Sequence, residues 1–201
     1  MSSDRGRSRS PSPDPERLLR IYLNDHYAGS AAGDALVRRV SRAHGHGPAG
    51  RRLRELADEI AEDRESLVRI MTALGVPVMR TRALIMRCAE KVGRAKLNGR
   101  LVSRSPLSDV LDLESLRLGV EGKLALWRSL GEVARDDDRI DAGTVHHLAD
   151  RAERQIEQLE DLRLAAVRRA ITPGARPVPH RSSAAGRQRS HRPFVKVRWA
   201  S

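Results

Sequence analysis

The residues with the most chemistry to offer are carboxylates, a few imidazoles and one amide, spread over four stretches of the chain. Glu59, Glu62, Asp63 and Glu65 crowd one stretch, and Asp63 falls between Ile60 and Leu67, on an apolar seam of helical period. Glu114 and Glu121 lie seven apart near the seam of another, and Gln155 falls between Ala152 and Leu159 on a third. His26 sits on the apolar face of the first. Carboxylates and a ring nitrogen meeting from different helices are the donor set of a divalent metal site. The plainer reading is a satisfied polar network: a buried carboxylate must be paired or protonated, and Arg117, Lys123 or His26 could serve.

The other reactive residue types form no recognisable site. His44 and His46 make a weak chelate in a Gly-rich link. His146 and His147 are adjacent on a helix and point about 100° apart, so they do not converge. Cys88 is the single cysteine, which rules out an intramolecular disulfide and a thiolate cluster; it lies on an apolar stripe and reads as core. The sequence contains no Gly-rich phosphate loop, nucleophile elbow or zinc motif.

The elements that would carry these residues are helices. Val and Ile nowhere alternate with polar residues over a useful length, and the core must come from Leu, Ile, Val, Ala and Met, because only five residues are aromatic. Asp14-Pro15-Glu16 reads as an N-cap, a proline at the first helical position and an acid in the first turn, opening a helix over 16–43. Gly29, Ala32 and Gly33 thin its apolar face, which predicts close approach of a partner helix there. A second helix spans 48–74, stopped by Gly75 and Pro77, and the short link predicts an antiparallel hairpin. A long connection with its own helix over 81–97 follows. Helices over 106–134 and 142–171 form a second hairpin, with Asp141 as N-cap and Ile140 and Val145 at staple spacing.

Both ends read as disordered tails. Residues 1–15 are low-complexity Ser, Arg and Pro. Residues 172–201 hold Arg176, Arg181, Arg187, Arg189, Arg192, Lys196 and Arg198 with no acid, seven of the net twelve positive charges. Such a tail attracts phosphate by counterion release, so nonspecific nucleic acid is one expected partner. Phe194 and Trp199 are its only stacking residues. No stretch approaches the roughly 20 apolar residues that span a bilayer, and no signal peptide is evident, so the expected location is cytoplasmic.

Hairpin, long crossover, hairpin is an order of long helices that resembles the ferritin-like superfamily over residues 16–171. The segments carrying the likeness are YLNDHYAG (22–29), LADEIAEDRESLVRIMTALG (56–75), LESLRLGVEGKLALW (113–127) and LADRAERQIEQLEDLR (148–163). The resemblance implies an all-α, antiparallel four-helix bundle. Metal-binding members place a Glu on each of two helices and a Glu-x-x-His pair on each of the other two. Here no Glu is followed three residues later by His. The resemblance therefore implies a degenerate member without the di-iron ligands, holding no cofactor. Its expected role is non-catalytic, structural or interactive, with an unidentified protein partner and room for a homodimer. The alternatives are a di-metal protein using His26, Glu59, Asp63, Glu114 and Glu121 as atypical ligands, and a nucleoid or DNA-associated protein acting through the tail.

Overall fold

A computed structural model describes residues 14–79 and 106–171. The expected 81–97 helix, Cys88, the N-terminal tail up to residue 13 and the basic C-terminal tail lie outside the described residues. The described residues form four α-helices and no strand: α1 (Pro15–His44), α2 (Pro48–Ala73), α3 (Pro106–Val133) and α4 (Ala142–Ile171). At 1.5 Å per residue they are about 39–45 Å long. None is long and apolar enough to cross a membrane.

Local chemistry explains their ends. The Asp14 side chain accepts from the Glu16 amide at 3.1 Å, and Pro15 occupies a first-turn position whose missing N–H costs nothing. α2 ends in a Schellman motif: Val76 N–H donates to Met71 O at 2.8 Å, Gly75 N–H donates to Thr72 O at 3.0 Å, and Gly75 takes the positive φ of 67°. Asp141 caps α4, accepting from Gly143 N at 3.2 Å and Thr144 N at 3.0 Å. The Thr144 hydroxyl, which also donates to Asp141, holds its carboxyl below the usual range, and the two amides add to the effect. Ile140 and Val145, one on each side of the cap, are both buried in the core.

Cross-helix bonds fix the topology. Tyr22 meets Ser129 and Arg39 meets Asp112, so α1 and α3 are antiparallel. Arg128 meets Glu153, Arg117 meets Glu160 and Glu114 meets Arg163, so α3 and α4 are antiparallel. Arg52 meets Asp161 and Glu62 meets Arg151, so α2 and α4 are antiparallel as well. The α1–α2 pair folds back through Gly45–Gly47, and Asn24 near the start of α1 clasps the chain leaving α2, donating to Pro77 O and accepting from Met79 N. Every neighbouring pair is thus antiparallel, while α2 runs parallel to α3 across the diagonal. Met79 and the start of α3 therefore lie toward opposite ends of the bundle.

The core runs the length of the four helices. Leu23, Val37 and Val40 from α1 join Leu53, Leu56, Leu67 and Met71 from α2. Leu113, Leu116, Val120, Trp127 and Leu130 come from α3, and Leu148, Ala152, Leu159 and Leu162 from α4. The α3–α4 and α1–α2 hairpins are tightly joined, whereas the α2 and α4 backbones approach each other little.

The expected close approach at Gly29 and Gly33 is not what the fold uses. A methyl group at either would have no described atom within 4 Å. Gly119 and Gly122 of α3 are equally open. The glycine with a steric reason is Gly50, buried in the first turn of α2, where a Cβ would collide with the Gly45 carbonyl of the turn from α1.

Gly29→Ala is therefore expected to raise stability by about 1 kcal/mol, the propensity difference in a helix interior. Gly50→Ala is expected to lower it. Urea unfolding of the two variants checks both signs, and a destabilised Gly29→Ala would place a close neighbour at that face.

Candidate polar centre of the bundle

Asp63 faces inward because its stripe does. Leu53, Leu56, Ile60, Leu67 and Met71 turn one side of α2 to the core, and Asp63 stands three residues after Ile60 on the same side. It is 1% exposed. A carboxylate so enclosed requires compensation from nearby groups.

That compensation comes from two helices. Lys123 of α3 places its Nζ on Asp63 Oδ2, and Arg151 of α4 places an Nη on Asp63 Oδ1, so each carboxylate oxygen has its own cation. Gln155, one turn beyond Arg151 and fully buried, orients its amide between opposite signs of charge. Its Oε1 accepts from Lys123 Nζ, and its Nε2 donates to Glu59 Oε2 at 2.8 Å and to Asp63 Oδ2 at 3.3 Å. Arg151 reaches Glu62 Oε2 at 2.9 Å with its other nitrogen, at the edge of the cluster. The Arg151 Nε has no acceptor. The network therefore joins α2, α3 and α4 halfway along the bundle and contains nothing from α1.

Burial dominates its electrostatics. The Lys123 ammonium is pushed below the ordinary lysine range by desolvation, with Asp63 acting in the opposite sense and Arg151 adding to the depression. The two cations stand side by side because Asp63 lies between them.

The remaining expected site residues lie elsewhere. Glu59, Asp63 and Gln155 are brought together; His26, Glu114 and Glu121 are not part of the network. The Glu114 and Glu121 side chains are over 40% exposed and pair with Arg163 at 3.5 Å and Arg117 at 3.2 Å. The reason lies in the orientation of α3: Leu113, Leu116, Val120, Leu124 and Trp127 take its inward side, which turns both glutamates to the edge of the α3–α4 seam. His26 is half-buried against Tyr22, edge to face, with ring centroids 4.6 Å apart. Burial depresses its pKa, and neighbouring Asp25 opposes the shift. His44 spends one ring nitrogen on Val40 O at 2.9 Å and the other faces Asp109 at 3.5 Å, so it is not a free chelator with His46. His146 and His147 are exposed. Among the described residues, no group of three or more His, Cys, Asp or Glu is placed to hold a metal ion.

Arg151 was not foreseen from the sequence. Its only signal is position: it precedes Gln155 by four residues, and so shares a helix face with the one amide on the α4 seam.

Two outcomes are expected. Asp63→Ala leaves an ammonium and a guanidinium enclosed together without their carboxylate, and should cost about 3–5 kcal/mol. The triple change Asp63→Leu, Lys123→Met, Arg151→Met removes charge and partner alike and should regain most of that loss; urea denaturation reads both. A loss below about 1 kcal/mol in the single variant would show that water solvates the cluster. The second outcome concerns pH. Because Lys123 titrates lower folded than unfolded, the unfolded chain holds this proton more firmly. Stability relative to Lys123→Met should therefore rise with pH on the alkaline side, in the window ending near the ordinary lysine value of about 10.4. Urea midpoints of the two proteins across that window check the sign, and a constant difference would refute it.

Compared with known proteins, the chain matches no family model, no curated protein and no solved structure.

Proposed function

We propose that this chain is a non-catalytic scaffold of ferritin-like architecture, in which side-chain cations occupy the place where metal-binding bundles of this kind hold their ions. The observation that carries the reading is the engagement of Asp63. Both oxygens of Asp63, the one fully buried acid among the described residues, are taken, by Lys123 and Arg151, and Gln155 and Glu59 complete the ring around them. A divalent cation entering here would have to displace an ammonium or a guanidinium and then sit beside the other, a repulsion that a low-dielectric interior amplifies.

Support for the architecture comes from the direction of the helices. Two antiparallel hairpins stand with α2 parallel to α3, and a single long crossover, 80–105, has to return the chain along the bundle. That is the order of elements in bundles with one long crossover. The acids and cations at the centre are engaged chiefly with one another across three helices, which suits a role in holding those helices together. The working surfaces of such a protein are outward faces and terminal segments, which suits an interaction role.

Metal content of the purified full-length chain tests this reading. Iron, manganese and zinc are each expected well below one per chain after expression in metal-supplemented medium. Near-stoichiometric metal that disappears in Asp63→Asn would replace the scaffold with a di-metal carboxylate protein.

A further inference from the structure

A second charged cluster lies on the outside of the first hairpin, away from the Asp63 centre. Six cationic side chains among the described residues are partly buried: Arg52, Arg64, Arg117, Lys123, Arg151 and Arg163. Five of them have a carboxylate partner within salt-bridge distance. Arg64 has none among the described residues. Its Nη2 donates to the Tyr27 hydroxyl at 2.9 Å, its guanidinium carbon stands 4.7 Å from the Tyr27 ring centroid, and its Nε is a buried donor with no acceptor among the described residues. A guanidinium held in place by an aromatic ring and a phenol is positioned but not neutralised.

Arg64 lines a cleft of about 410 Å³ between α1 and α2. Arg38 and Arg69 share the cleft with it, as do Asp34 and Glu65. Asp34 is committed to Arg38 at 2.9 Å, and Arg69 bonds only the Ser66 hydroxyl, also at 2.9 Å. Three guanidiniums thus face two carboxylates, with the surplus positive charge at the partly buried one. We infer that this cleft binds a phosphate group, free or carried by a small monoester, with Arg64 as its principal ligand and Arg69 closing over it from the rim. Planar guanidinium forks suit tetrahedral oxyanions, and an enclosed, pre-positioned arginine loses little freedom on binding. The volume leaves room for the small organic part of an ester beside Val68 and Ala61.

The test is calorimetric titration of the full-length protein with inorganic phosphate and, separately, with glycerol phosphate, at about 0.15 M ionic strength to suppress loose attraction to the basic termini. Saturable 1:1 binding is expected. Arg64→Gln should weaken it roughly tenfold or more, the scale of one charge-assisted hydrogen bond. Arg69→Gln, a change at the exposed rim that leaves the fold alone, should weaken it in the same direction, and Glu65→Gln should strengthen it. Arg168→Gln, which removes the same charge from an exposed position on α4, should leave it unchanged. Equal affinity for the two probes would assign the site to free phosphate, and tighter binding of the ester would assign it to a phosphorylated metabolite. Absence of saturable binding to either probe, or an equal loss in Arg168→Gln, would overturn the inference.

Discussion

A carboxylate enclosed at mid-height between four helices must be answered by positive charge from within the chain, and the rest of this molecule is arranged around that answer. Asp63 belongs to α2, Lys123 to α3, and Arg151 and Gln155 to α4. No two helices alone could satisfy both carboxylate oxygens and the amide between them. The cluster therefore exists only when both hairpins are formed and docked, which makes it a property of the assembled bundle. Without Asp63, Lys123 would lose its ion-pair partner and Arg151 would keep only the exposed Glu62, so the three charges are interdependent.

The cluster also bridges a pair of helices whose backbones stand well apart. The α2 and α4 backbones approach each other little, and long polar side chains span the gap: Glu59 to Gln155, Glu62 and Asp63 to Arg151, with Arg52 to Asp161 further along. Leucine faces are non-directional and tolerate sliding. A salt bridge with one oxygen per cation does not, since shifting α4 by one turn past α2 would carry Arg151 away from Asp63. Apolar burial supplies the cohesion of this fold, and the polar centre defines its register.

The same arrangement bears on chemistry. Carboxylates converging between four helices are a natural seat for hard cations. Here the seat is filled by covalently attached ones, and Gln155, which cannot carry charge, stands where another acid would have increased the demand for a metal. The two glutamates of α3, Glu114 and Glu121, face the α3–α4 edge and pair with Arg163 and Arg117 there. Among the described residues, the partly buried cation without a carboxylate partner lies on the periphery, at Arg64.

Much of this was legible in the sequence, for physical reasons particular to each element. Helix ends are local events. Asp14-Pro15, Gly75 and Asp141 act within a few residues of themselves, so the ends of α1, α2 and α4 could be read from the cap chemistry alone. The inward stripe of α2 was equally plain, and placed Asp63 on it. α3 was less legible: Leu107, Leu111 and Leu118 are exposed while Leu113, Leu116 and Leu124 are buried, so apolar residues occur on nearly every side and the pattern does not select a face. Glu114 and Glu121 were misplaced for that reason. The glycines of α1 were misread because small residues permit close approach without requiring it; whether a neighbour arrives depends on a helix distant in sequence. Which cation meets Asp63 was likewise undecidable in one dimension, since Lys123 and Arg151 are 60 and 88 residues away. By itself the sequence determined the helices, their ends and the inward placement of a single acid, because those depend on neighbours within a turn or two. Only the tertiary structure decided its partners, because they depend on the rotation of each helix about its own axis, and that is settled by packing.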